Sequence, residues 1–259
     1  YESTDYSQDG VVTTLQTATK GAGIDLVLMG DAYSDRQIAD GTYDKTMNTA
    51  MEKFFAVEPY KSYRDHFNVY SVKAVSKNEG YGDGYETIFS GEFGEGTYVG
   101  GDHSKVIEYG WKAIGDERMN EAMLVVMMNS SAYAGTCYMY QPSATGDYGN
   151  GLSISYFPIG VDDTALEQVL NHETNGHGFA KLADEYAYES MGAVPSEEVT
   201  NTQTQQTNWG WWKNVDFTSD VTSVRWVKFI SDSRYANEKL GAYEGAMTYW
   251  SSVWRPTEN

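Results

Sequence analysis

The chain holds four histidines, at positions 66, 103, 172 and 177, and two of them stand five residues apart beside a glutamate in His172-Glu173-Thr174-Asn175-Gly176-His177. Two imidazoles on one helical face can grip a divalent ion, and a glutamate beside them can take a proton from an attacking water; this is the chemistry of the H-E-x-x-H zinc peptidase motif. Here one extra residue separates the histidines. On a regular α-helix an offset of five turns the second ring about 140° away from the first, too far to share one ion. Bonding from i to i+5 restores the alignment, so a π-bulge is predicted near Thr174 to Gly176, with Gly176 easing the distortion.

A catalytic zinc takes three protein ligands and leaves a fourth position for water. Asp184 and Glu185, which follow His177 by seven and eight residues, are the nearest candidates, with Asp184 preferred. Gly178 and the residues after it would end the helix and turn the chain back. In this reading zinc lowers the pKa of the water and polarises the scissile carbonyl, while Glu173 carries the proton to the leaving amine as general base. The plainer alternative is a solvated cluster of histidines and acids near a helix end. Spacing alone divides evenly between the two.

The elements that must position these residues read as alternating strands and helices. Ile24 to Met29 is a short apolar strand ending at Gly30-Asp31, and a helical stretch from Ser34 to Phe55, interrupted near Gly41, stops before Pro59. Phe67 to Val75 alternates as a second strand, His103 to Ile114 has helical spacing, and Ala122 to Met128 is a continuous apolar run suited to a central strand. Leu152 to Phe157 reads as a strand near an edge, because Pro158 ends it. A helix over Val161 to Ala180, opened by a capping box of Thr164 and Glu167, then carries His172. The expected fold is α/β: a layered fold with a mixed, mostly parallel sheet. Residues 79–101 read as a glycine-rich acidic loop and residues 187–224 as a long ordered loop or small subdomain. No linker or internal repeat divides the chain, so residues 1–259 read as one catalytic domain, with 1–23 as the end of a preceding region.

Composition narrows the function classes. A net charge of -19 excludes a basic face for DNA, RNA or an anionic membrane surface. No apolar run reaches the roughly 18 residues needed to span a bilayer, so no membrane insertion is expected. Tyr1 to Gly10 is polar and acidic, so any signal peptide would already have been removed. Cys137 is the only cysteine, which rules out an intrachain disulfide without ruling out export. With 21 Tyr and 7 Trp against 5 Pro, the chain reads as ordered and globular. Nothing in it bears on oligomeric state.

The segment from His172 to Tyr186 resembles the zinc site of the IgA-peptidase family, metallopeptidase family 64, whose active-site helix is metzincin-like. Gly176-His177-Gly178-Phe179 and Leu182-Ala183-Asp184-Glu185-Tyr186 carry the likeness, and some bacteroidal members resemble it in the longer spacing. Leu28-Met29-Gly30-Asp31-Ala32-Tyr33, Glu58-Pro59-Tyr60-Lys61, Phe67-Asn68-Val69-Tyr70 and Trp254-Arg255-Pro256-Thr257-Glu258-Asn259 extend it over most of residues 24–259. The resemblance implies His172, His177 and Asp184 as metal ligands and Glu173 as general base. It implies a secreted bacterial zinc endopeptidase acting on protein or peptide substrates in a secreted, periplasmic or cell-surface setting. It also implies a methionine-bearing turn beyond Asn259; Met247 is the substitute within the chain, and core packing is its readier role.

Other features have quieter readings. Asp31 suits a turn or helix cap, and His66 and His103 read as ordinary polar residues. Asn78, Glu79, Asp83, Glu86 and Asp102 offer oxygen ligands for calcium without the EF-hand order. Trp209, Trp211 and Trp212 suit a satellite core better than a substrate-facing patch, and Tyr186 is a candidate oxyanion donor. Two competing functions remain: a catalytically silent module binding glycan or protein, and an amidase acting on cell-wall peptide.

Overall fold

A computed structural model describes residues 1–141, 151–160 and 162–258; Val161, the expected start of the active-site helix, and Asn259 lie outside these. The chain divides into two compact units, residues 1–179 and 180–259.

The first unit is built on a six-stranded sheet. Its strands are β1 (Val12–Gln16), β2 (Ile24–Asp31), β3 (Phe67–Val72), β6 (Met123–Met128), β7 (Thr136–Met139) and β8 (Ser153–Pro158), in the order β1-β3-β2-β6-β8-β7. The four inner strands run parallel, and β1 and β7 close the two edges antiparallel. A short hairpin of β4 (Glu92–Phe93) and β5 (Val99–Gly100) stands apart from this sheet.

Period-two alternation sorts the strand residues into two cores. Leu26 and Leu28 of β2 and Met123, Val125 and Met127 of β6 face one side, where they meet Met47 and Phe54 of α2 (Thr42–Phe54) and Leu166, Val169 and Leu170 of α4 (Asp163–Leu170). Val27, Met29, Leu124, Val126 and Met128 face the other, against Val106, Ile107 and Tyr109 of α3 (His103–Ile114). The result is an α/β unit with a mostly parallel sheet between helical layers, as expected. The interruption at Gly41 is also real: Gly41 takes a left-handed φ of 84° between α1 (Asp35–Ala39) and α2.

Several expectations need correction. β8 does lie near an edge, but as the strand second from it, buried throughout and paired on both sides. Pro158 is only its last residue, so no ladder bond is lost inside the strand; the edge belongs to β7, whose mixed residues gave no clear alternation. The cap of α4 is Asp162, which accepts from the Ala165 N–H at 2.9 Å, and Thr164 lies within the first turn. Asp31 caps no helix. It is fully buried, and its carboxylate accepts from the N–H groups of Phe89 and Gly91 at 3.0 and 3.1 Å, hanging the glycine-rich loop from the end of β2. Burial pushes that carboxyl above its ordinary pKa. Four of the five residues offered for calcium are engaged separately: Glu79 bonds Ser34 and Arg36, Glu86 pairs with Lys77, Asn78 accepts from the Glu86 N–H, and Asp102 caps α3.

The second unit contains a three-stranded sheet, β10 (Tyr243–Ala246), β11 (Thr248–Arg255) and β9 (Ala187–Ala193), with helices α5 (Ser196–Asn208) and α6 (Val227–Ile230). Its core is small: Ala183, Val194, Val215, Ala246 and Val253, with Trp212 and Met247 packed against it. Met247 thus has the packing role expected of it, and the three tryptophans meet edge-to-face in series, 5.0 Å from Trp209 to Trp211 and 5.6 Å on to Trp212. Helix α5 replaces part of the expected loop. It buries only Thr202 and Gln206, so it has no apolar stripe to betray it; instead the Gln206 amide donates to the carbonyls of Trp212 and Val215, both at 2.9 Å.

His103 is less ordinary than its sequence context suggests. Its ring stacks on Tyr156 at 5.7 Å, meets Tyr138 edge-on at 4.4 Å, and bonds the Tyr140 hydroxyl at 3.1 Å. Burial holds its pKa below the usual 6.5 despite the nearby Asp102 carboxylate. A depressed histidine pKa means that the unfolded chain binds the proton more readily, so this stabilisation is full above 6.5 and drains away as pH falls through the folded-state value. Replacing His103 by Phe is therefore expected to flatten the acid side of a Tm-against-pH curve. An unchanged acid slope would show that the ring is not the group responsible.

Candidate metal centre

Beyond α4 the chain does not stay α-helical. Asn171–Phe179 forms a nine-residue π-helix, a longer widening than the single bulge expected around Thr174 to Gly176. With i to i+5 bonding, residues five apart lie one above the other. The consequence is direct: the Nε2 atoms of His172 and His177 approach to 3.1 Å, with ring centroids 4.6 Å apart and planes at 86°. Two metal–nitrogen bonds of about 2.0–2.1 Å at a tetrahedral angle span about 3.3 Å, so the pair fits one ion. Among the described residues one group of potential ligands converges, His172, Glu173 and His177, with donor atoms all within 4.8 Å of one another.

The same widening sorts the side chains by burial. His172 is exposed and His177 half-buried, while Glu173, Thr174, Asn175 and Gly178 face inward. Glu173 is 7% exposed, so its carboxylate stands in a lower-dielectric setting than the rings beside it. A buried carboxylate and a pair of imidazoles are thus held side by side, one in the protein and one at its surface.

Three contacts hold the widened helix. The Tyr60 hydroxyl donates to the Asn175 carbonyl at 2.6 Å, and burial pushes the Tyr60 phenol well above its usual pKa, keeping it a donor. The Asn175 amide donates to the Phe54 carbonyl at the end of α2, at 3.2 Å, and to Asn171 Oδ1 at 2.7 Å. Gly178 lies against the sheet: a Cβ there would come within 2.9 Å of Ser153 Oγ on β8 and 3.6 Å of Cys137 Sγ on β7. This amends the expectation for Gly176. Gly176 has no left-handed φ, and a Cβ on it would meet nothing nearer than the Asn171 carbonyl oxygen at 3.5 Å. The indispensable glycine is Gly178, for closeness to the sheet. Tyr60 and Asn175 were both inside the recognised motifs, but a tyrosine distant in sequence carries no signal of which carbonyl it will bond.

Asp184 and Glu185 open the second unit, where their neighbours can be described within that unit. Both Glu185 oxygens are engaged, one by the Asn214 amide at 2.9 Å and one by the Thr257 hydroxyl at 3.2 Å. Asn214 also bonds the backbone of Ala183 on both sides, at 2.9 and 2.8 Å. The Asp184 carbonyl accepts from the Met247 N–H at 2.8 Å. Lys181, with φ of 54°, turns the chain before this segment. Tyr186 is 40% exposed and packs against Tyr188 at 5.5 Å. His66 meets the Tyr63 ring, outside the converging group.

Two stability measurements test these anchors. Tyr60→Phe leaves a buried carbonyl without its donor and is expected to cost about 1–3 kcal/mol in chemical denaturation. Gly178→Ala is expected to cost about 1–3 kcal/mol through overpacking, whereas Gly176→Ala is expected to be neutral or stabilising by up to about 1 kcal/mol through helix propensity. Equal effects at the two glycines would contradict the assigned role of Gly178.

No curated protein matches the chain. The sequence model for IgA Peptidase M64, a metallopeptidase family, matches residues 12–235, a span that contains the four inner strands, the π-helix and its anchors. The chain belongs to the IgA Peptidase M64 family.

Proposed function

We propose that the chain is a secreted bacterial zinc endopeptidase that hydrolyses peptide bonds of extracellular proteins, with residues 1–259 working as one metzincin-like catalytic domain. The observation that carries this reading is the apposition of the His172 and His177 Nε2 atoms at 3.1 Å beside the buried Glu173. His172 and His177 would hold the ion, with Asp184 as third ligand.

A zinc ion held there supplies Lewis-acid polarisation of the scissile carbonyl and acidifies the attacking water. Glu173 does the proton work. Its carboxylate takes the proton as the water oxygen attacks the carbonyl carbon, then returns it to the amide nitrogen so that the leaving group departs as an amine. A largely buried glutamate suits this exchange, because the protein around it excludes bulk water and fixes its direction. The histidines, oriented by the π-helix, keep their Nε2 atoms together without side-chain rearrangement.

The test is cleavage of a peptide library by the parent and by Glu173→Ala, with zinc content measured on both. The expected outcome is matching zinc content with cleavage lowered by about 100-fold or more in the variant. Absence of cleavage by the zinc-loaded parent would overturn the peptidase reading and favour a binding module. Cleavage confined to cell-wall peptides would replace the endopeptidase with an amidase.

A further inference from the structure

We infer that Gly135 is a positioning residue for Glu173: the missing side chain at Gly135 decides where the glutamate carboxylate stands. The inference rests on the peptidase reading above. Gly135 immediately precedes edge strand β7, and a Cβ built on it would lie 2.7 Å from Glu173 Oε1, 2.9 Å from Glu173 Cγ and 2.6 Å from Val169 Cγ1. Carbon contacts become favourable only at about 3.5–4.0 Å, so any side chain here must displace something.

The backbone at Gly135 is poorly placed to yield. Its N–H donates to the Thr97 carbonyl at 3.0 Å, and the next residue, Thr136, accepts the Val99 N–H on its hydroxyl at 3.1 Å. On its other side Thr136 is in register with Tyr156 of β8. Thr97 and Val99 belong to the hairpin of β4 and β5, and that hairpin follows directly on Phe89 and Gly91, whose N–H groups are fixed by the buried Asp31 carboxylate. Gly135 is therefore clamped between a hairpin tethered to β2 and the body of the sheet. With the backbone held, the groups that must move are Val169, which α4 contributes to the core, and the side chain of Glu173. Gly135 touches no reacting atom in this scheme; it acts through Glu173.

Two responses to a Cβ at this position can be told apart, because Val169 belongs to the core and Glu173 to the chemistry. The experiment compares the parent, Gly135→Ala, Val169→Ala and the double variant Gly135→Ala/Val169→Ala in steady-state peptide cleavage, zinc content, Tm and crystal structures grown without added metal. Gly135→Ala is expected to lower kcat by about 100-fold, the scale of a misplacement of about 1 Å, with KM and zinc content nearly unchanged. Trimming Val169 removes the core clash, so the double variant is expected to regain the lost Tm while kcat stays low. In both variants carrying Gly135→Ala the Glu173 carboxylate is expected to shift by more than about 0.5 Å. Recovery of kcat together with Tm in the double variant, or a carboxylate that keeps its place, would overturn the positioning role. A parent that cleaves nothing would overturn the peptidase reading and this inference with it, whereas a cleaving parent indifferent to Gly135→Ala overturns the inference alone.

Discussion

Nine residues with i to i+5 hydrogen bonding are the constraint around which the first unit is organised. A π-helix is rare because its widened turn loses the close backbone packing of an α-helix, so it persists only where its surroundings hold it. Here the surroundings do so on two sides. Tyr60 and the end of α2 bond the Asn175 peptide and side chain, and Gly178 lets the helix settle against Ser153 on β8. Without the widening, His172 and His177 would diverge. With it, their Nε2 atoms meet at 3.1 Å.

The parallel sheet gives this helix a rigid floor. β6 and β8 are buried along their whole length, and the apolar residues of α2 and α4 fill the layer above them. One consequence is chemical. The inward face of the π-helix carries Glu173, Thr174 and Asn175, while its outward face carries the imidazoles. The carboxylate is thereby set inside the protein and the nitrogen donors at its surface.

The second unit organises its acidic pair by a different device. Asn214 bonds both backbone groups of Ala183 and one oxygen of Glu185, and Met247 fixes the Asp184 carbonyl from the left-handed turn between β10 and β11. Glu185 is a strut between Asn214 and Thr257.

Much of this was legible in the residues themselves, because the signals were local. The H-E pair with its second histidine raised metal chemistry by residue type, and the offset of five demanded a widened turn if the rings were to share an ion. Apolar runs placed β2 and β6, alternation placed β3, and Gly41 broke the helix where its sequence neighbours implied. The rest required contacts between residues far apart in the chain. Sequence favoured Gly176 for the distortion because it lies inside the spacing, yet sterics single out Gly178, since only packing against β8 reveals which glycine lacks room. Pro158 suggested a strand near an edge, but which strand closes that edge is set by the partners that complete the hydrogen-bond ladder, and β7 completes it. Helix α5 has no apolar face to read, and Gln206 holds it by bonds to distant carbonyls. The sequence by itself determined the chemical groups and their spacing; tertiary structure decided their direction and surroundings, because burial and hydrogen-bond partners exist only once remote segments meet.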